Sequence, residues 1–153
     1  MKIALLVLST VLLVSACGGS QGGRPIFARA QEALARVDAL RAHLVVRAPI
    51  AVDRTATIVH TDLPLERVHL SRWAKHQRPF RCGHGFECAR GDLDVAAAAR
   101  DLAPALPRLP FDPAAIESAT VEVRLDSRGE LHRIDLQGDL AGADVELDLR
   151  PAG

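Results

Sequence analysis

Apolar positions are spaced in three different ways along this chain. Residues 3–14 form a short apolar run interrupted only by Ser9 and Thr10. From Phe27 onward the apolar residues recur at three- and four-residue steps: Phe27, Ala30, Leu34, Val37, Leu40 and Leu44. Arg29, Glu32, Arg36 and Arg41 fall largely off that stripe. This spacing predicts a helix over residues 25–42, wide enough in its apolar face to lie on a sheet, with Pro25 suited to the first turn. The period then changes to two. Leu44, Val46, Ala48, Ile50 and Val52 predict a strand, with Pro49 marking an edge or a bulge. Asp53-Arg54 reads as a turn into a β-branched strand over 55–61, and residues 62–64 turn again. Residues 66–73 place Val68 and Leu70 on one face of a third strand, whose parity Trp73 breaks.

Residues 75–91 have no period and predict a loop. Asp92 is positioned to cap a helix that Pro104 stops near Ala103. Pro107 and Pro110 stiffen the connector that follows. Asp112 at the N-cap, Pro113 after it and Phe111 placed to staple onto Ile116 predict one short helical turn. The last third alternates cleanly. Val121, Val123 and Leu125 interleave with Glu122, Arg124 and Asp126, and Ala143, Val145, Leu147 and Leu149 interleave with Asp144, Glu146, Asp148 and Arg150. A turn at Arg128-Gly129 sets Val123 opposite Ile134 and Val121 opposite Leu136, so the apolar faces coincide. The expected fold class is α+β: an antiparallel sheet of about six strands, with an N-terminal helix and a second helix packed on one face.

Composition sharpens this picture in two places. Phe27, Trp73, Phe80, Phe86 and Phe111 are the only aromatics, so the core has to be aliphatic. The formal charge sums to zero, but it is split along the chain. Arg67, Arg72, Lys75, Arg78, Arg81 and Arg90 stand against Glu87, a net +5. Between Asp112 and Asp148, ten carboxylates stand against Arg124, Arg128 and Arg133, a net −7. Two solvated faces of opposite sign account for this split; so do anionic headgroups or an acidic partner at the basic stretch, where Trp73, Phe80 and Phe86 are interleaved.

The apolar run follows Lys2 and ends in Val14-Ser15-Ala16-Cys17. A positive start, a short apolar segment and small residues before a cut make up a secretory signal. The aliphatic-small-small-Cys ending resembles the bacterial lipobox. That resemblance implies a diacylglyceryl group on the Cys17 sulfur, cleavage before Cys17, and further acylation of the new amino terminus, with palmitate among the expected chains. It divides the chain into a signal peptide at 1–16, a lipidated cysteine and Gly/Ser tether at 17–24, and one α+β domain at 25–153. It also implies a lipid anchor on the extracytoplasmic face of the cell membrane or the outer membrane, and argues against a nucleic-acid partner.

In an exported protein the remaining pair, Cys82 and Cys88, predicts a disulfide worth roughly 2 kcal/mol in the chain-entropy model. The rival arrangement is a metal held by Cys82, His84 and Cys88, with His76 or His69 as fourth ligand; its spacing is not that of a standard finger. No catalytic residue is expected. Ser71, Ser118 and Ser127 lack a Gly-rich elbow, there is no phosphate loop or dinucleotide fingerprint, and no cofactor is implied.

The order of elements, carried by residues 33–46, Asp112-Pro113 and 121–136, resembles the LolA-like and LppX/LprG-type envelope lipoproteins. That resemblance implies a strongly curved sheet wrapping helices around an apolar cavity that carries lipid or acyl chains. The chain departs from the pattern in its shorter length and its Cys82–Cys88 loop. Two functions follow as expectations, neither of them enzymatic. One is a carrier or sensor of an apolar ligand, with Leu34, Val37 and Leu40 of the first helix facing it. The other is a structural or interaction lipoprotein that binds another envelope component through its basic loop or acidic sheet face.

Overall fold

The computed structural model describes residues 24–47, 51–59, 61–106 and 108–153. The signal-like run, Cys17 and the tether up to residue 23 lie outside the described residues, as do the expected strand positions Ala48 and Ile50 and the expected irregularity at Pro49.

Helix α1 (Ile26–Leu34) begins after Pro25, whose carbonyl accepts from the N–H groups of Ala28 and Arg29. Its buried side chains, Phe27, Ala30, Ala33 and Leu34, lie on one face. The helix is shorter than its periodicity suggests. It ends at Leu34, and Leu40 and Leu44 belong to strand β1 (Ala39–Val46). A four-residue step is one helical turn and also two strand repeats, so Leu40 and Leu44 satisfy both patterns. Sheet pairing on both sides decides for the strand: β1 lies between β2 (Val52–Val59) and β7 (Ala143–Pro151). Asp53 and Arg54 are therefore strand residues, opposite Val45 and Leu44, and not a turn.

Residues 66–73 are not a strand. A 3-10 turn (Leu65–Arg67) leads into the short helix α2 (Leu70–Trp73). Val68 and Leu70 are buried, as their alternation suggests, but their backbone finds a different partner. The Gln31 side-chain amide on α1 donates to the Val68 carbonyl and accepts from the Leu70 N–H. One glutamine thus supplies both hydrogen bonds that a neighbouring strand would have made.

Residues 75–91 form a hairpin of β3 (Ala74–Phe80) and β4 (Phe86–Leu93) where a loop was expected. Its strand signal is hidden by a bulge between Lys75 and Arg78 and by Pro79, which an edge strand tolerates. Gly91 is required here, because a Cβ at this position would lie 2.6 Å from the Lys75 carbonyl oxygen. Helix α3 (Val95–Leu102) is capped by Asp94, not Asp92: the Asp94 carboxylate accepts from the Ala97 N–H at 3.0 Å. That bond, with Lys75 beside it, holds the Asp94 carboxyl below its ordinary range. The expected helical turn at Pro113–Ala115 is present, with Asp112 accepting from the Ala114 N–H.

Strands β5 (Ile116–Asp126), β6 (Leu131–Leu140) and β7 form the expected meander, with Val123 opposite Ile134 and Val121 opposite Leu136. At the β5–β6 turn Gly129 takes φ +76°, and Asp126 accepts from the N–H groups of Arg128 and Glu130. The strands form one open antiparallel sheet of seven, in the order β2-β1-β7-β6-β5-β4-β3. The sheet is one strand larger than expected: the β3–β4 hairpin adds two strands, and residues 66–73 remove one. With three α-helices among the described residues, the class is α+β.

The main core joins α1, α2 and α3 to the inner-facing side chains of the sheet, among them Leu40, Ala42, Val121, Val123, Leu125, Ile134 and Leu149. A smaller apolar cluster, Leu44, Val46, Ala143 and Val145, is distinct from it.

Candidate functional site

Between the sheet and the segment that runs from α3 to β5 lies a cavity of about 580 Å³. Its floor is Leu44, Leu136, Val145 and Leu147, contributed by β1, β6 and β7. Its roof is Ala98, Ala99 and Leu102 of α3, followed by Leu106, Leu109 and Phe111. The sequence of α3 explains the space. Residues 96–99 are four consecutive alanines, which satisfy helix propensity but fill little of the space between helix and sheet. Arg108 and Gln137 are the only polar side chains among the lining residues. A second lobe of about 360 Å³ adjoins the first and shares Leu44, Leu106, Arg108, Leu109 and Leu147 with it.

The residues expected to face a ligand lie elsewhere. Leu34 and Leu40 are sealed in the main core, and Val37 packs against that core in the turn between α1 and β1. None of the three lines either lobe. Two facts explain the difference. The helix that was to carry them ends at Leu34, and the bulky Phe27 and Trp73 fill the space beneath it. The signal that locates the cavity is the alanine run over residues 96–99 together with the proline-rich connector after it.

Cys82 and Cys88 form the expected disulfide, with Cα atoms 6.1 Å apart, closing the β3–β4 hairpin. With both sulfurs in the bridge, the alternative metal set keeps only His84. The aromatics of the basic stretch separate into two groups. Trp73 is buried in the main core, and its Nε1–H donates to Asp101 Oδ2 on α3 at 2.8 Å. Phe80 lies under the Arg90 guanidinium at 4.1 Å, and Phe86 lies beside His132 with the Arg124 guanidinium 5.5 Å from its ring.

The outer face of the sheet brings together carboxylates that strand alternation alone sends to solvent. Asp148 pairs across to Asp135, and Asp135 pairs across to Glu122. Like charges directly opposite are destabilising, so the row needs cations. Arg133 Nη2 lies 3.0 Å from Asp135, 3.1 Å from Asp148 and 3.2 Å from Glu146; Arg150 reaches Asp148, and Arg90 reaches Glu122. Burial, with Glu146, Asp148 and Glu122 nearby, pushes the Asp135 carboxyl up from 3.8 to about 6 against the opposing pull of Arg133.

This cluster has a consequence for stability. The folded state holds the Asp135 proton more tightly than the unfolded state does. Its contribution is complete below about pH 4 and is lost as pH rises through about 6. Asp135→Asn, which cannot ionise, should therefore gain stability relative to the parent between pH 4 and 7, by on the order of 1 kcal/mol. Urea midpoints of the two proteins across that range check this; a difference that stays flat with pH refutes it.

Among the described residues, no helix is long and apolar enough to cross a membrane. No family model, curated protein or solved structure matches the chain.

Proposed function

We propose that this chain is an exported lipoprotein, anchored through Cys17, that carries or senses a lipid or other apolar ligand in the cavity beneath α3. The observation that carries this reading is the lining. A void of about 580 Å³ walled by Leu, Val, Ala and Phe is within the range of roughly 300–1,000 Å³ typical of small-molecule sites. Without a ligand this open apolar cleft holds water against aliphatic side chains, so an apolar occupant that displaces the water is favoured. The lipobox resemblance supports an extracytoplasmic, membrane-bound setting in which lipids are at hand. In this reading the open sheet curves over its helices, as the LolA-like resemblance implies, and the role is non-enzymatic.

The test is occupancy. Ala99 is half-buried and faces the void, so Ala99→Trp should fill it without displacing the core. Native mass spectrometry of the parent should show a co-purifying or added lipid, and the variant should retain at least about tenfold less, a loss of roughly 1.4 kcal/mol. A parent that arrives empty and takes up no added lipid refutes the carrier reading. The interaction lipoprotein would then be the better one. One observation favours that reading: Phe80 and Phe86, each beside an arginine, flank the disulfide-closed hairpin. The acidic face suits docking less well, because Arg133, Arg150 and Arg90 already neutralise much of it.

A further inference from the structure

We infer that the cavity's ligand is an anionic amphiphile, with its aliphatic tail in the larger lobe and its oxyanion head in the smaller one, held by Arg54 and Arg108. This rests on the carrier reading and adds the chemistry of what is carried. The two lobes differ in character. The larger is apolar apart from Arg108 and Gln137. The smaller is lined by Arg54, Thr55 and Arg108 beside Ala42, Leu44 and other apolar residues.

The position of Arg54 is unusual for an arginine. Residues two apart on a strand share a face, and Arg54, Ala56 and Ile58 pair with Leu44, Ala42 and Leu40. All of those partners point to the inner, apolar side of the sheet, so Arg54 occupies a position that the pattern reserves for an apolar residue. It does so on edge strand β2, where its head reaches solvent. Arg108 arrives from the opposite side, on the connector that roofs both lobes.

Among the described residues nothing neutralises either guanidinium. No carboxylate lines either lobe, and among the described residues neither Arg54 nor Arg108 has an ion-pair partner. On the same sheet Arg90, Arg133 and Arg150 each face a carboxylate, whereas Arg41, Arg78 and Arg124, like Arg54, have no ion-pair partner among the described residues. Two exposed guanidinium forks lining the smaller pocket, beside the apolar one, match a carboxylate or phosphate head, because such heads accept the paired N–H groups that a fork presents. The apolar lobe beyond them matches the tail.

The experiment uses the full-length lipoprotein in phosphatidylcholine vesicles. Two photoreactive probes are compared: a diazirine-bearing hexadecanoic acid and its methyl ester, each normalised to its labelling of bilayer lipid. Labelled peptides are mapped by mass spectrometry. The acid is expected to label the walls of the larger lobe, α3 and β7, about tenfold more than the ester, the size of one charge-assisted hydrogen bond at a partly solvated site. The double variant Arg54→Gln and Arg108→Gln should lose that preference while its ester labelling stays at the parent level, which also shows that the fold is intact. Equal labelling by acid and ester in the parent would overturn the anionic head and leave the carrier reading standing. Loss of the acid's preference in excess inorganic phosphate, with ester labelling unchanged, is likewise expected of a head held by the two arginines; a preference that survives both excess phosphate and the double variant would overturn it. Absence of cavity labelling by both probes would refute the carrier reading itself, and this inference with it.

Discussion

Trp73→Ala is expected to destabilise the fold by roughly 3–5 kcal/mol, the usual cost of deleting a large aromatic side chain from a packed core. Trp73 is among the largest fully buried side chains, at the point where α2 hands over to β3. It also closes a polar link. Its indole N–H and the His69 backbone N–H both donate to Asp101 Oδ2, so the crossover over residues 61–73 is tied to α3 through one carboxylate. Alanine would open a cavity and leave that carboxylate with one donor fewer. Trp73→Phe separates the two effects: it keeps most of the volume and loses the hydrogen bond, so it should cost less, about 1–2 kcal/mol. Since a domain's whole stability is about 5–15 kcal/mol, the alanine variant should stand near its unfolding threshold. Urea unfolding decides the point. A midpoint that falls with an unchanged slope is the expected result; an alanine variant within about 1 kcal/mol of the parent would show that the core does not depend on this side chain.

The second large effect concerns location. Cys17→Ala should abolish the lipid anchor. Under the proposed function the chain is held by acyl groups on one sulfur, each buried CH₂ contributing about 0.8 kcal/mol, with two chains needed for a stable anchor. Among the described residues no helix offers a second means of spanning the bilayer. The parent's intact mass should correspond to a chain beginning at Cys17 plus a diacylglyceryl group, and the parent should sediment with membranes. The variant should carry no lipid mass and should lose the cut before residue 17. A variant processed to the same point and as firmly membrane-bound as the parent would refute the lipoprotein assignment.

The anchoring test and the occupancy test bear on separable claims. An unanchored protein with a filled cavity would still be a carrier, and an anchored protein with an empty one would still be a lipoprotein. The outer face adds a third and independent property, because the carboxylates around Arg133 make stability depend on pH in a range where surface carboxylates are already ionised.

Sequence alone determined those parts of the molecule whose local pattern has a single solution. Over residues 121–125, 134–136 and 143–149 every second residue is apolar, so a slip of one residue would expose the apolar face, and the register there follows; the irregularities in β5–β6 pairing between Glu117 and Thr120 and between Arg124 and Leu125 carry no such signal. The Asp112-Pro113 turn and the Cys82–Cys88 bridge were legible for the same reason, since each rests on residues close in the chain. The tertiary structure decided wherever the local pattern had two solutions or a partner came from far away. Leu40 and Leu44 fit a helix as well as a strand until β2 and β7 claimed their backbone. Residues 66–73 alternate like a strand, but the Gln31 amide satisfies their backbone in place of a neighbouring strand. The carboxylate cluster is invisible along the chain because strand pairing assembles it from three strands. The cavity was misplaced for the most general of these reasons: an apolar stripe shows which residues avoid water, and only their sizes against what lies opposite decide whether they close a core or leave a gap. Over α1 the large Phe27 and Trp73 close it, and under the alanines of α3 it stays open.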